Sequence, residues 1–226
     1  DKPSLAYLLR ELDSLEGKFR IRFTTSYPTD ITDELIETVK NASKICECFH
    51  IPMQSGSDRI LKAMNRRYDR NRYAQIVKKI RDNIKNVTIT SDFIAGFPGE
   101  TDEDFKMTLS AFDEFELDYS NTAAYSPRPN TPAAKMTDKF LDEDEKKRRL
   151  AILNEKVKEM SLRSNQKYLD CELEVLVESF KNGKFEGRTR NNKVVHLTGE
   201  DISTGDFVNV KITKASTWCL FGEKTN

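Results

Sequence analysis

Two segments of the sequence constrain the fold more than any others: residues 50–57 (His-Ile-Pro-Met-Gln-Ser-Gly-Ser) and residues 91–100 (Ser-Asp-Phe-Ile-Ala-Gly-Phe-Pro-Gly-Glu). Each is a short apolar run that breaks into glycine, proline, serine or glutamine and is followed by a helical pattern. A buried strand whose carboxyl end opens into a site has this appearance. Two such strand ends predict the core of an α/β enzyme.

Strand and helix patterns alternate as far as Tyr125. The predicted strands cover residues 19–25, 46–51, 87–95 and 119–125, and the first predicted helix carries an apolar stripe of Leu5, Leu8, Leu9 and Leu12. Helices that join successive strands imply parallel pairing with right-handed crossovers, because a parallel connection must travel back along the sheet. We therefore expect residues 1–136 to form part of a (β/α) TIM-like barrel.

The pattern changes in the last third of the chain. Residues 137–166 are charged and helical, with Leu150, Leu153, Val157 and Met160 spaced for one buried face, which predicts a connector helix. From residue 167 to residue 226 apolar and polar residues alternate in five short runs, with an Asn182-Gly183 turn between the first two. This region predicts a small all-β, OB-like barrel.

Composition narrows the classes of function. Lysine and arginine total 37, as do aspartate and glutamate, so any nucleic-acid binding must be local rather than driven by overall charge. No apolar stretch approaches the roughly 18 residues that span a bilayer, so we expect no membrane association. The sequence begins Asp-Lys-Pro-Ser without an initiator methionine, which suggests a piece of a longer protein.

The four cysteines do not have the spacing of a metal site. Cys46, Cys48, Cys171 and Cys219 include no Cys-x-x-Cys pair, which structural zinc sites and iron–sulfur clusters commonly use. Cys46 and Cys48 alternate on a predicted strand, so at least one should face the core as a small apolar side chain. We therefore predict no metal ligands in this chain.

Polar residues at the predicted strand ends form the candidate site. In (β/α) barrels the reactive groups lie on the loops that follow the carboxyl ends of the strands. Such residues also serve as caps and turns, an alternative that the sequence leaves open. Glu100, beside Thr101, fits the start of a helix better than a catalytic acid. The candidates are Gln54, Ser55, Gly56, Asp92, Gly96 and Arg128.

A second candidate surface lies in the small barrel. Residues 181–193 contain five basic residues and one acidic residue, Glu186, although the whole chain is neutral. Basic groups on a hairpin can follow a phosphate backbone, while asparagine can hydrogen-bond ribose or base edges. A solvated surface without specific function is the alternative. The predicted RNA-binding residues are Arg188, Arg190, Asn191, Asn192 and Lys193.

The chain resembles the radical S-adenosylmethionine methylthiotransferases, and within them the type that modifies tRNA. The resemblance rests on the 50–57 motif with Met-Asn-Arg-Arg-Tyr at 64–68, on residues 92–101, on residues 125–133 (Tyr-Ser-Pro-Arg-Pro-Asn-Thr-Pro-Ala), and on a tail similar to a TRAM domain. The joint occurrence of these motifs in order is more specific than any one of them. The family's three-cysteine N-terminal domain and its Cys-x-x-x-Cys-x-x-Cys loop are not in the sequence.

The resemblance implies an activity. A 4Fe-4S cluster would cleave S-adenosylmethionine to a 5′-deoxyadenosyl radical, and a second cluster would help to add a methylthio group to C2 of an N6-prenylated adenosine next to the anticodon. Both clusters would have their ligands outside this chain, which would carry no catalytic residue and be inactive alone. Gln54, Ser55, Gly56, Asp92 and Gly96 would line the S-adenosylmethionine site, and Arg128 would contact its carboxylate or an RNA phosphate.

The implied partners are the tRNA anticodon arm, a reductant protein and a sulfur-donor protein, and the implied location is the cytoplasm. Two other functions remain open. One is methylthiolation of an aspartyl residue in a ribosomal protein by a related enzyme type, and the other is a non-catalytic RNA-binding module built on a degenerate barrel. The segments 126–129 and 187–192 look more like those of the tRNA enzymes.

Overall fold

The computed structural model describes residues 4–25, 27–181 and 183–225. Short 3₁₀ helices lie at Pro28–Asp30, Ala133–Lys135 and Thr137–Lys139. The α-helices are α1 (Leu5–Ser14), α2 (Asp33–Asn41), α3 (Asp58–Ala63), α4 (Arg70–Asn83), α5 (Asp102–Glu114) and α6 (Glu143–Gln166). The strands are β1 (Cys48–His50), β2 (Thr88–Ala95), β3 (Tyr119–Ala124), β4 (Glu172–Lys181), β5 (Lys184–Thr189), β6 (Val194–Thr198), β7 (Phe207–Ala215) and β8 (Leu220–Lys224).

The first unit is a parallel sheet with strand order β1-β2-β3 and helices between the strands, which confirms the predicted α/β architecture. The predicted strand at residues 19–25 is wrong. In the described part of this segment, a single parallel bridge joins Ile21 to Ile45. A strand requires a series of backbone hydrogen bonds to a neighbouring strand, and within the described residues this segment pairs only at Ile21. A second bridge, Gln54 to Phe93, extends the sheet past the end of β1.

Helix starts follow the local sequence. Thr32, Ser57, Asp69 and Thr101 each accept a hydrogen bond from the backbone N–H three residues later and cap α2, α3, α4 and α5. Thr101 and Asp104 form a reciprocal capping box, as their spacing predicts. These caps rest on contacts within four residues, so tertiary packing did not need to be known to predict them.

The two faces of the sheet differ in burial. On β2, Ile89, Phe93 and Ala95 are buried toward the helices, and the ring of Phe93 stacks on Phe112 of α5 with centroids 4.4 Å apart. Thr90, Asp92 and Ile94, which alternate with these residues, are half-buried and line the concave side. The predicted α1 stripe is correct only in part, because Leu9 is buried and Leu12 is half-buried, whereas Leu5 and Leu8 are exposed.

The second unit is a closed five-stranded barrel with strand order β4-β5-β6-β8-β7, in agreement with the predicted OB-like barrel. Eight apolar residues, among them Val175, Val195 and Val210, form its own core. Of the predicted Asn182-Gly183 turn, Gly183 has a φ of +76°, and Asn182 lies outside the described residues.

Helix α6 connects the two units. Leu153, Val157 and Met160 are buried and Leu150 is half-buried, so the predicted apolar face packs on the sheet unit. At its carboxyl end Asn165 donates hydrogen bonds to the carbonyls of Ser216 and Thr217 in the barrel, at 2.9 and 3.2 Å. The helix is therefore fixed to both units.

In the part of the chain that the structure describes, no helix combines the length and the apolar character that crossing a membrane requires.

Candidate functional site

A hydrogen-bonded network lies on the concave face of the parallel sheet. His50 contacts the hydroxyl of Thr90 through Nδ1 at 2.9 Å and the carboxylate of Asp92 through Nε2 at 3.1 Å. Asn121 of β3 donates to the other oxygen of Asp92 at 2.9 Å. Adjacent strands in register thus bring four polar side chains together, because alternate residues of parallel strands face the same side.

This environment determines the charge of Asp92. Partial burial would raise the pKa of its carboxyl group, but the hydrogen bonds from His50 and Asn121 outweigh that effect and lower the pKa below its usual value. Asp92 is therefore an anion at neutral pH. The strand-end pattern predicts Asp92 as a site residue but does not indicate His50 or Asn121. In β1 the side chains of the buried Phe49 and of His50 point to opposite faces of the sheet, and this alternation was the signal that could have identified His50.

Gln54 lies at the same edge of the sheet in an unusual conformation. Its φ of +73° falls in the left-handed region that residues other than glycine seldom adopt. Its N–H donates to the carbonyl of Asp92 at 2.8 Å, and its carbonyl accepts from Ile94 at 3.0 Å. Strained backbone of this kind concentrates at functional sites. Here it changes the direction of the chain at the carboxyl ends of the parallel strands, which we call the mouth of the sheet.

The next two candidates face the helical layer. Ser55 is fully buried, with its hydroxyl 3.3 Å from that of Thr108 in α5. The N–H of Gly56 donates to the same hydroxyl at 3.0 Å, and a Cβ at Gly56 would lie 2.3 Å from the carbonyl oxygen of Met107. The Ser55 hydroxyl and the Gly56 backbone therefore contact α5 instead of an open ligand site. Glycine is required at position 56 because α5 approaches the backbone too closely for a side chain.

Residues of α6 hold the turn that follows β2. The N–H of Gly96 donates to Glu100 at 2.8 Å, and the same carboxylate oxygen accepts from Arg149 at 2.9 Å. Both charged side chains are almost completely buried. Burial raises the pKa of Glu100 despite these favourable contacts. Gly96 has a φ of +72° and packs against Lys146, so this glycine shapes the turn. The sequence predicts a helix start at Glu100 and gives no sign of its ion pair with Arg149.

Arg128 is exposed on the loop that follows β3. Its carbonyl accepts hydrogen bonds from the backbone and hydroxyl of Thr131, which close a turn. The guanidinium is therefore available at the carboxyl end of the sheet.

Three of the five predicted RNA-binding residues lie between the two units instead of on an RNA surface. Arg190 donates to the carboxylate of Glu47 and to the carbonyls of Ser43 and Ile45. Asn191 is buried and donates to the carbonyl of Asn86. The prediction failed because a run of charge along the sequence does not reveal that another unit packs against it.

Lys193 is the third of these interface residues. Its ammonium donates to Ser164 of α6 at 2.7 Å and lies 3.7 Å from the carboxylate of Asp118. Arg188 and Asn192 remain half-exposed beside it, with Arg188 donating to Asn192 at 3.3 Å and to Glu178 at 3.2 Å. Arg190 is equally half-exposed, but its guanidinium is engaged by Glu47, Ser43 and Ile45.

The cysteines do not form a metal site among the described residues, where no group of three metal-ligating side chains occurs. Cys46 is buried, and burial raises the pKa of the Cys48 thiol to about 11. Thiols in such surroundings stay protonated, whereas cluster ligands are thiolates. The residues present therefore do not fit an iron–sulfur cluster.

The comparisons with known proteins agree with this geometry. The model of the radical SAM superfamily matches residues 1–112, and the model of the TRAM domain matches residues 166–225. The chain belongs to the radical SAM superfamily. Its parallel sheet carries the polar mouth described above, and its small barrel is the TRAM domain.

Curated relatives match this radical SAM chain over nearly all of its length. It is 47% identical over 221 residues to the tRNA-2-methylthio-N(6)-dimethylallyladenosine synthase of Alkaliphilus oremlandii and 47% identical over 224 residues to that of Clostridium botulinum. These alignments cover 96% and 98% of the chain but 47% and 50% of the relatives. The chain spans about half the length of the curated relatives it matches.

A solved structure supports the fold. Coproporphyrinogen III oxidase from Escherichia coli, described as a radical SAM enzyme, superposes with a TM-score of 0.51 at 16% identity. The match covers 86% of this chain and 46% of that one. At this identity the likeness concerns the fold alone.

Proposed function

We propose that this chain acts as the C-terminal half of a tRNA methylthiotransferase, which adds a methylthio group to C2 of an N6-prenylated adenosine next to the anticodon. The observation that carries the proposal is the similarity of almost the entire chain, sheet unit and TRAM domain together, to curated synthases of that name. The sheet unit contributes part of the cofactor site, and the TRAM domain contacts the tRNA. Reductant and sulfur-donor proteins complete the reaction in the cytoplasm.

The mouth of the sheet fits a polar cofactor. S-adenosylmethionine would supply a 5′-deoxyadenosyl radical once it is reduced by a cluster held outside this chain. Asp92, held by His50 and Asn121, offers a negative charge at neutral pH on the concave face. The redirected backbone at Gln54 places a largely buried polar side chain at the same edge of the sheet, and the exposed Arg128 can meet a carboxylate or a phosphate. Ser55, Gly56 and Gly96 shape this mouth.

The cofactor assignment is tested by Gln54→Ala and Asp92→Ala in the complete enzyme. Loss of one positioned polar contact costs about 1 to 3 kcal/mol, so we expect S-adenosylmethionine cleavage to fall about tenfold while the melting temperature changes little. Asp138→Ala, which removes an exposed carboxylate on a short 3₁₀ helix, is the matched control. Unchanged cleavage per folded molecule with a lowered melting temperature would assign both residues to structure.

The substrate assignment is tested by deleting the gene that encodes this chain and measuring two products in the same cells. We expect tRNA to lose 2-methylthio-N6-prenyladenosine and to accumulate N6-prenyladenosine, as measured by mass spectrometry of tRNA nucleosides. The masses of the ribosomal proteins should stay unchanged. Loss of methylthioaspartate from a ribosomal protein would establish the related enzyme type, and no change in either product would favour the RNA-binding module.

A further inference from the structure

An exposed aromatic pair lies where the sheet unit meets the TRAM domain. Tyr119 is the first residue of β3, and Trp218 lies in the turn between β7 and β8. Their ring centroids are 6.0 Å apart at an angle of 84°, and the two residues are 39% and 54% exposed. In this edge-to-face arrangement the edge of one ring covers one face of the other, and the remaining ring surface accounts for the exposure of the pair. Large aromatic rings held in the open by two separate domains are typical of a binding surface.

A cavity lies on each side of this pair. The first cavity has a volume of about 390 Å³, and its lining includes Arg188 and Asn192 of the TRAM domain. The second has a volume of about 480 Å³ and lies between β3 and α6, where Asn121 of β3 and Asn154 and Lys158 of α6 line it. Tyr119 and Trp218 line both cavities. We call the two cavities and the aromatic pair between them the junction groove. The size of each cavity suits one nucleotide.

The polar lining of the junction groove matches a nucleotide. Ser161 of α6 lines the first cavity and is almost fully buried, and its hydroxyl has no hydrogen-bond partner among the described residues. Buried hydroxyls are rarely left unpaired, so this one marks a place for a ligand atom or an ordered water. The amide of Asn192 can pair with a base edge, and the half-exposed guanidinium of Arg188 can meet a phosphate.

We propose that the junction groove binds two consecutive nucleotides of a single-stranded RNA segment, one base on each face of the Tyr119–Trp218 pair. Stacking on aromatic rings is available to every base, so this contact positions the RNA without selecting its sequence. The choice of RNA as the source of the nucleotides rests on the proposed function. Tyr119 begins β3, and its hydroxyl donates to the side chain of Asn121 at 3.2 Å, so the groove adjoins the hydrogen-bonded network around Asp92.

Trp218 is the only tryptophan of the chain and reports directly on this site. We would titrate the 226-residue chain with a single-stranded oligoribonucleotide of the anticodon loop and follow both tryptophan fluorescence and the anisotropy of the labelled RNA. We expect the two signals to saturate together. Tyr119→Ala and Trp218→Ala should each weaken RNA binding about tenfold in the anisotropy measurement. Tyr7→Ala, which removes an aromatic ring of similar exposure on α1, should leave the affinity unchanged.

The outcomes separate this inference from the proposed function. RNA binding that neither quenches Trp218 nor weakens in the two variants would overturn the junction groove and leave tRNA binding by another surface intact. AMP that quenches Trp218 at the same concentration as the oligonucleotide would show a small-molecule site and overturn the RNA assignment. Absence of any RNA binding by the folded chain, as judged by circular dichroism, would overturn the inference and count against RNA recognition by this half of the enzyme.

Discussion

At the residue scale, Asp104 shows how one carboxylate joins several elements. It accepts hydrogen bonds from the backbone and hydroxyl of Thr101 at 2.8 and 2.7 Å and from Ser57, the cap of α3, at 2.5 Å, and it forms an ion pair with Arg59. Burial would raise the pKa of Asp104, but these contacts outweigh it and hold the pKa far below its usual value. The sequence indicated the capping box and nothing of the contacts to α3.

Asp104→Asn should lower the free energy of unfolding by about 2 kcal/mol at pH 7, because hydrogen bonds to a charged acceptor are lost. A carboxylate with a depressed pKa in the folded protein contributes stability above its unfolded pKa of about 4 and loses that contribution as the pH falls toward the folded value. The gap between wild type and variant should therefore narrow below pH 4 in urea unfolding experiments. Glu103→Ala, at an exposed position in the same turn, is the control, and a gap independent of pH would contradict the account.

At the element scale, the amino-terminal segment and the β4–β5 hairpin are joined by ion pairs. Arg20 lies 3.0 Å from Glu174, Arg22 lies 2.9 Å from Glu178, and Arg190 reaches back to Glu47. Capped helices could be predicted because their signals lie within a few residues of one another. Neither the lost strand at residues 19–25 nor the buried role of Arg190 could be predicted, because both depend on partners more than 20 residues away.

Arg190→Ala should loosen the TRAM domain from the sheet unit. It removes a charged pair and two hydrogen bonds to backbone carbonyls, so we expect a loss of about 2 kcal/mol and faster amide exchange at residues 43–47. Hydrogen exchange followed by mass spectrometry provides the measurement. Arg148→Ala, at an exposed ion pair on α6, should change exchange only locally. Amide exchange at residues 43–47 that stays as slow as in the wild type would show that other contacts hold the TRAM domain against the sheet unit.

At the scale of the whole molecule, α6 unites the two functional surfaces. Its first turns hold Glu100 and the Gly96 turn at the proposed cofactor site, while Ser164 and Asn165 near its end hold the TRAM domain. Helix α6 has 24 residues and spans about 36 Å, which is long enough to contact both units. The order of the units could be predicted from the sequence because periodicity changes at their boundaries, whereas the junction groove required the domains to be placed together.

The most direct test of the central claim replaces the C-terminal half of the Alkaliphilus oremlandii synthase with this chain, over the 221 residues that align at 47% identity. The chimera would be expressed in a host that lacks its own synthase, and tRNA nucleosides would be measured by mass spectrometry, with the unaltered synthase as the positive control. The account predicts that 2-methylthio-N6-dimethylallyladenosine reappears in tRNA. A folded, cluster-containing chimera that leaves only N6-dimethylallyladenosine would contradict it.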